Sequence, residues 1–196
     1  MRTAANCATW WHAGVFPAYV RLPHPAYIPG SPSDVEITWR EQARARGVRL
    51  DPSVSWDDLD AEADRILQRP VVGTSPEHIM AAVLDLLHVE GGDLVSGFRD
   101  VLPVPDIPLR DDFWLDAPGR HHCGLVDRQA VDVATAAGRS PNLLWPAGDD
   151  AIAPPWLVVV EIDDRSTIVA CSREIADRLL GLPGIESWEL RDPVTT

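Results

Sequence analysis

The amino-acid sequence predicts an α+β fold, in which N-terminal helices pack on a small mixed β-sheet and a β-β-α-β unit occupies the C-terminal part. Two patterns predict this fold. Apolar residues in the first half recur at the three- and four-residue spacing of amphipathic helices. Residues 156–190 contain two β-branched segments, an amphipathic helix pattern and a further apolar segment. Because 196 residues are enough for one sizeable core, we expect a single domain, residues 1–196.

Proline residues divide this domain into four predicted parts. Four prolines among the first 30 residues exclude a long helix there, so we expect an extended strap over the core with one strand at about 15–22. Four further prolines lie between positions 102 and 118. The four parts are an aromatic, proline-rich strap (1–30), a helical half (31–101), a connector (102–118) and an α+β half (119–196).

The helical half is predicted to contain three helices. The first spans about 31–46, where a serine–proline pair begins it and a glycine ends it. The second begins at Ser55, which is followed three residues later by Asp58 in an arrangement close to a capping box. The third begins at Thr74 and has the clearest single apolar face. Residues 93–100 are expected to add a short helical turn.

Residues 156–171 predict a β-hairpin. The segment Trp156–Asp163 is rich in β-branched residues and alternates apolar with acidic residues near its end. Asp163 and Asp164 are residue types that favour turns. Ser166–Cys171 is therefore expected to be the antiparallel partner strand.

A helix should follow this hairpin, because Ser172 can cap its start and Gly181 can end it. The segment Ile185–Leu190 offers a third strand. Earlier in the same half, His121–Val126 is interpreted as a strand, and Asp127 as the cap of the next helix.

The composition excludes several classes of function. The net charge of −13 argues against binding to nucleic acids or anionic membranes. Acidic proteins of this size are usually ordinary soluble proteins. The alternative is a mimic of nucleic acid or a binder of a basic partner, and the dispersion of the acidic residues along the chain disfavours it. The chain contains no lysine, so neither a lysine Schiff base nor a Gly-Lys-Ser/Thr phosphate-binding loop can form. Dinucleotide-binding and serine-hydrolase motifs are also missing, and no cofactor is expected.

The sequence also indicates a compartment. It has no run of 18 apolar residues, and its first twenty residues lack the apolar core of a secretion signal. Three cysteines are too few, and an odd number, for a disulfide framework. We therefore expect a cytoplasmic protein with reduced thiols.

Residues 141–172 resemble a class of uncharacterised actinobacterial proteins. The residues that carry the resemblance are Pro141–Pro146, Trp156, Glu161–Asp163 and the pair Ser166-Thr167. The segment between Pro146 and Trp156 is longer and richer in proline than in the shared pattern. The resemblance covers a small part of the chain and implies a bacterial source, but no particular activity.

His121 and Cys123 are the candidate catalytic residues. On a strand their side chains share one face, whereas His122 points to the other. An imidazole beside a thiol can stabilise the nucleophilic thiolate. Two ligands are too few for zinc and no second ligand pair occurs, so no metal site is expected. The alternative for both residues is an ordinary structural role.

Six further residues are candidate binding residues. Four tryptophans fall in predicted loops, where an aromatic residue fits a ligand pocket or a protein interface, or clamps a loop onto the core. Two aspartates form the predicted hairpin turn. The six are Trp10, Trp11, Trp114, Trp145, Asp163 and Asp164.

Two functions therefore remain open. The first is a non-catalytic binding or regulatory protein, such as an accessory factor, that engages a protein or small-molecule partner through an acidic and aromatic surface. The second is a small-molecule enzyme of a specialised bacterial pathway that uses His121 and Cys123. Missing catalytic motifs favour the first, whereas a closed pocket containing both residues would favour the second.

Overall fold

The strands and helices confirm the α+β class. A computed structural model describes residues 14–29, 35–51, 54–59, 67–87, 93–99, 109–116, 120–148, 153–160 and 163–190. Within these ranges the chain forms ten strands and five helices. None of the helices in the described ranges is long and apolar enough to cross a membrane.

The elements alternate along the chain. The strands are β1 (Ala18–Pro23), β2 (Ala26–Ile28), β3 (Val35–Ile37), β4 (Leu94–Arg99), β5 (Arg110–Asp116), β6 (Arg120–Val126), β7 (Leu143–Pro146), β8 (Trp156–Val159), β9 (Ser166–Cys171) and β10 (Trp188–Leu190). The helices are α1 (Trp39–Arg46), α2 (Trp56–Leu59), α3 (Glu77–Leu86), α4 (Arg128–Ala136) and α5 (Arg173–Leu180).

Eight of these strands form one sheet in the order β10-β1-β9-β8-β7-β4-β6-β5, while β2 and β3 pair separately. Every neighbouring pair is antiparallel. The sheet is therefore larger than the expected small sheet, and it is antiparallel instead of mixed. Pairings such as β1 with β9 join distant segments, and the side-chain pattern of one strand does not identify its partner. Strand β5 lies within the segment 102–118.

The C-terminal β-β-α-β unit follows the predicted order of elements. Strands β8 and β9 are antiparallel neighbours, and β9 has the predicted bounds. The hydroxyl of Ser172 accepts a hydrogen bond from the backbone N–H of Ile175, and α5 ends at Gly181. Strand β10 pairs with β1 and not with the hairpin.

Helix α1 begins at Trp39 and not near position 31, so its predicted start is wrong. Thr38 caps it: the Thr38 hydroxyl accepts from the N–H of Glu41, and the Glu41 carboxylate accepts from the N–H of Thr38. This complete capping box is a stronger signal than the serine–proline pair upstream. The predicted end is confirmed, since Gly47 has the left-handed backbone angle φ 66°.

The other two predicted helices of the first half are present with changed details. Ser55 and Asp58 exchange the hydrogen bonds of a capping box at the start of α2. Thr74 does not cap α3, because its hydroxyl lies 3.0 Å from the hydroxyl of Ser140. The expected helical turn at 93–100 is wrong: Leu94–Arg99 form β4, which is held between β6 and β7.

The central strands of the main sheet are buried on both faces. One face packs against α3, α4 and α5, where Val158 and Val169 contact helix residues such as Met80 and Leu179. Neighbouring strand residues point to opposite faces, so Leu157 belongs to a second apolar cluster on the other face. Strand β8 and residues 168–171 of β9 are consequently apolar on both sides.

A third, smaller core lies between β2, α1 and α2. Trp39 of α1 and Trp56 of α2 pack with their ring centroids 5.7 Å apart. Trp188 of β10 also contacts Trp39. This tryptophan core connects the two N-terminal helices to the edge of the main sheet.

Candidate functional site

The predicted catalytic pair lies on β6, one strand from the sheet edge. His121 and Cys123 are both buried, with 3% and 0% of their surface exposed. The Cys123 sulfur lies over Gly97, where an added Cβ would come within 2.9 Å of it. A thiol must be accessible to react with a dissolved substrate. This packing favours the structural role for Cys123.

Two of the four candidate tryptophans have described positions, and they differ. Trp145 lies in β7 and is only 6% exposed, within the second apolar cluster. Its placement in a loop is wrong because Leu143 and Trp145 alternate with Leu144 between two buried faces. Trp114 lies in β5, so its predicted place in a loop is also wrong, but it is 44% exposed. Trp10 and Trp11 lie outside the described residues.

The two candidate aspartates of the hairpin turn also have different environments. Asp163 is exposed. Asp164 forms a 3.0 Å ion pair with Arg21 and accepts a 2.7 Å hydrogen bond from the hydroxyl of Ser166. The Arg21 side chain is buried and also donates to the carbonyl of Val54. Asp164 is therefore the counter-ion of a buried cation.

His24, which the sequence did not single out, is fully buried beside this ion pair. Its Nδ1 lies 2.9 Å from the carbonyl oxygen of Val71, and its Nε2 lies 3.0 Å from the hydroxyl of Thr167. Burial lowers the pKa of His24 to about 4, so the ring is neutral at pH 7. Because a carbonyl only accepts, Nδ1 carries the proton that is donated to Val71.

This buried polar network, defined by Arg21, His24, Asp164, Ser166 and Thr167, is internally satisfied. Each of its members has a hydrogen-bonding partner within the network or on nearby backbone. Strand β1 supplies Arg21, and the β8–β9 hairpin supplies its counter-ion Asp164 and the hydroxyl of Ser166. The network joins the tryptophan core to the main sheet and favours a structural role.

The exposed chemistry is found at the other end of the sheet, on β5 and β6. Trp114 and His122 are direct cross-strand partners, and their rings stack with centroids 4.8 Å apart. The guanidinium of Arg120 lies 4.1 Å from the centre of the Trp114 ring. His122 Nε2 is 2.8 Å from the carboxylate of Asp112. These four residues are called the β5–β6 aromatic cluster.

The electrostatics of this cluster are those of a solvated ion-pair network. The hydrogen bond with His122 holds the pKa of the Asp112 carboxyl below its usual range. Nearby, Arg110 pairs with Asp93. The neighbouring carboxylates of Asp127 and Asp111 also raise the pKa of Arg110. The guanidinium of Arg110, at the start of β5, therefore lies near three carboxylates.

The backbone of β5 is irregular where these charges meet. Its register against β6 shifts between Arg110 and Phe113, which marks a bulge. Within the bulge, Asp111 has a positive φ of 47°, an angle that aspartate tolerates better than most residues. From Phe113 onward the pairing with β6 is regular. β5 is the last strand of the sheet, and no described strand pairs with its outer side.

Sequence reasoning identified Trp114 but missed the side chains that hold it. Arg120 and His122 are recognised only when β5 and β6 are placed in register, because cross-strand neighbours are distant in sequence. The alternation along Arg120-His-His-Cys was the one available signal. It predicts that Arg120 and His122 share a face opposite to His121.

Comparisons with known proteins do not add an identity. No family model, curated protein or solved structure is similar enough to this chain to assign it to a family. In the part of the chain that the structure describes, no three metal-ligating side chains form a group. The function must therefore be argued from the two polar regions themselves.

Proposed function

We propose that this is a non-catalytic binding protein that engages a protein partner through the β5–β6 aromatic cluster. The observation that carries the proposal is Trp114, which is 44% exposed yet held by Arg120 and His122. Tryptophan and arginine are the residues most enriched at binding hot spots. An aromatic side chain that is already ordered loses little conformational entropy when a partner covers it.

The charge of the surface supports a partner of opposite sign. Six described arginines are paired with carboxylates of the same chain: Arg21, Arg40, Arg110, Arg128, Arg165 and Arg173. The net charge of −13 thus reflects carboxylates in excess of the available cations. A negative surface of this kind attracts a basic partner and speeds its association.

A cytoplasmic location belongs to the same proposal. Cys123 and Cys171 are buried free thiols, which is typical of a reducing compartment. Burial raises the pKa of Cys171 to about 12, so this thiol stays protonated at neutral pH. The enzyme alternative requires substrate access to Cys123, and the packing of Cys123 on Gly97 argues against it.

The test is affinity capture from a lysate of the source bacterium, with the wild-type chain, Trp114→Ala and Val133→Ala as parallel baits. Val133 of α4 is 61% exposed and apolar, so its truncation is a matched control for loss of exposed apolar surface. We expect a protein that the wild type and Val133→Ala both capture, and whose yield with Trp114→Ala falls at least about tenfold.

The captured protein is then purified and titrated against the three baits. Affinity that depends on Trp114 and weakens with salt supports the proposal. If every captured protein binds wild type and Trp114→Ala equally, the aromatic cluster is not a binding surface and the proposal fails.

A further inference from the structure

We propose that the partner contributes an extended, basic segment that adds as a strand to the outer side of β5, next to Trp114. This inference rests on the proposed function, and it specifies the partner's conformation and charge. Three features of the molecule support it: the position of β5, the charge around its first residues and the exposure of its tryptophan.

The position of β5 makes strand addition geometrically available. An edge strand presents a row of backbone N–H and C=O groups to any extended chain that approaches. No described strand pairs with the outer side of β5. The bulge between Arg110 and Phe113 interrupts this row, so the regular pairing surface spans residues 113–116. A short row of this kind suits a peptide segment better than a long sheet.

The charge at the start of β5 determines which segment fits. Arg110 is surrounded by the carboxylates of Asp93, Asp111 and Asp127, while the carboxylate of Asp112 lies beside His122. The two guanidiniums of Arg110 and Arg120 do not neutralise these four carboxylates. Arginine or lysine on the added strand would complete the pairing. A second copy of this chain also carries a net charge of −13, so repulsion between the two copies disfavours edge-to-edge dimerisation.

The side chain of Trp114 supplies the apolar contact. Alternate residues of an added strand face the same side as Trp114, and direct and diagonal neighbours across a strand pair lie within reach of an aromatic ring. One apolar residue of the segment would thus cover the exposed part of Trp114. The complementary sequence alternates basic and apolar residues.

The experiment uses a dye-labelled peptide of eight alternating arginine and valine residues, acetylated and amidated, titrated with the full chain by fluorescence anisotropy. The control peptides are one with glutamate in place of arginine, and one that keeps the arginines but is N-methylated on alternate backbone nitrogens. N-methylation removes the N–H groups that a pairing strand donates, without changing charge.

We expect the arginine peptide to bind in a salt-dependent manner and the glutamate peptide not to bind. N-methylation and the Trp114→Ala variant should each weaken binding by at least about tenfold, whereas Val133→Ala should leave it unchanged. Equal binding of the methylated and unmethylated peptides overturns strand addition. Absence of binding by the arginine peptide also overturns the inference.

These outcomes separate the inference from the proposed function. One outcome is that the arginine peptide fails to bind, or binds equally well when methylated, while lysate capture still yields a partner that depends on Trp114. In that case the cluster is a binding surface that does not recruit a strand. If neither the peptide nor any captured protein depends on Trp114, both proposals fail.

Discussion

Two histidine-centred regions of this molecule use similar residue types in opposite ways. In the buried polar network, His24 is fully inaccessible and its two ring nitrogens are both bonded within the protein. In the β5–β6 aromatic cluster, His122 stacks on Trp114 at the surface and pairs with the exposed Asp112. An arginine lies against a tryptophan in each region, Arg21 over Trp39 and Arg120 over Trp114.

The difference shows what burial does to a polar group. A buried polar side chain lowers the stability of the fold unless every donor and acceptor is paired. The geometry of the His24 region is therefore constrained by the stability of the protein. An exposed cluster has little effect on stability, and its geometry is free to serve recognition. The comparison predicts large effects on unfolding in the first region and small effects in the second.

The largest effect should follow Asp164→Ala. This substitution leaves the buried guanidinium of Arg21 without its counter-ion, and we expect the free energy of unfolding to fall by about 3–5 kcal/mol. Guanidinium chloride titration measures the change. Glu189→Ala is the control because it breaks the solvent-exposed pair with Arg173, and it should have little effect. A similarly small loss for Asp164→Ala would show that the network does not stabilise the fold.

A smaller effect should appear as a pH dependence from His24. The pKa of His24 is lowered from 6.5 to about 4 in the folded state, so the unfolded chain binds the proton more readily. Its stabilising contribution is complete above pH 6.5 and is lost as the pH falls to about 4, a change of roughly 3 kcal/mol. Urea unfolding at several pH values, compared with His24→Gln, measures it. Parallel profiles for the two proteins would contradict the lowered pKa.

The smallest effect on stability should come from Trp114→Ala. The substitution removes one exposed stacking and one cation–π contact, each worth about 0.5–1 kcal/mol. Thermal and urea unfolding should show a loss of about 1 kcal/mol, with Val133→Ala close to the wild type. If Trp114→Ala unfolds in one cooperative transition, the variant is folded, and a loss of binding can be attributed to the missing side chain. A loss as large as that of Asp164→Ala would place Trp114 among the structural residues.

Local signals in the sequence predicted local structure correctly. The β8–β9 hairpin, the Ser172 cap of α5 and the Asp127 cap of α4 all depend on residues within a few positions of each other. The strand β6 was also predicted, with a start one residue later than in the structure. The helix start at Thr38 could have been predicted from its capping box with Glu41, a signal that the preceding serine–proline pair obscured.

The extent of the sheet could not be predicted in the same way. β4 contains Gly97 and Ser96, and β7 ends at Pro146, which are residue types that usually indicate turns. Their strand conformation depends on neighbours that come from distant segments. The same reason explains the candidate site: Trp114 was named as a tryptophan in a predicted loop, but Arg120 and His122 become its neighbours only through the register of β5 and β6.

The position of β1 between β9 and β10 has a consequence for synthesis on the ribosome. Ala18 is paired with Cys171, so β1 emerges long before its partner strand has been translated. During this interval its apolar side chains have no sheet to join, and closing so long a loop slows folding. Protection of the apolar side chains of β1 by a general chaperone would therefore matter before residue 171 leaves the exit tunnel.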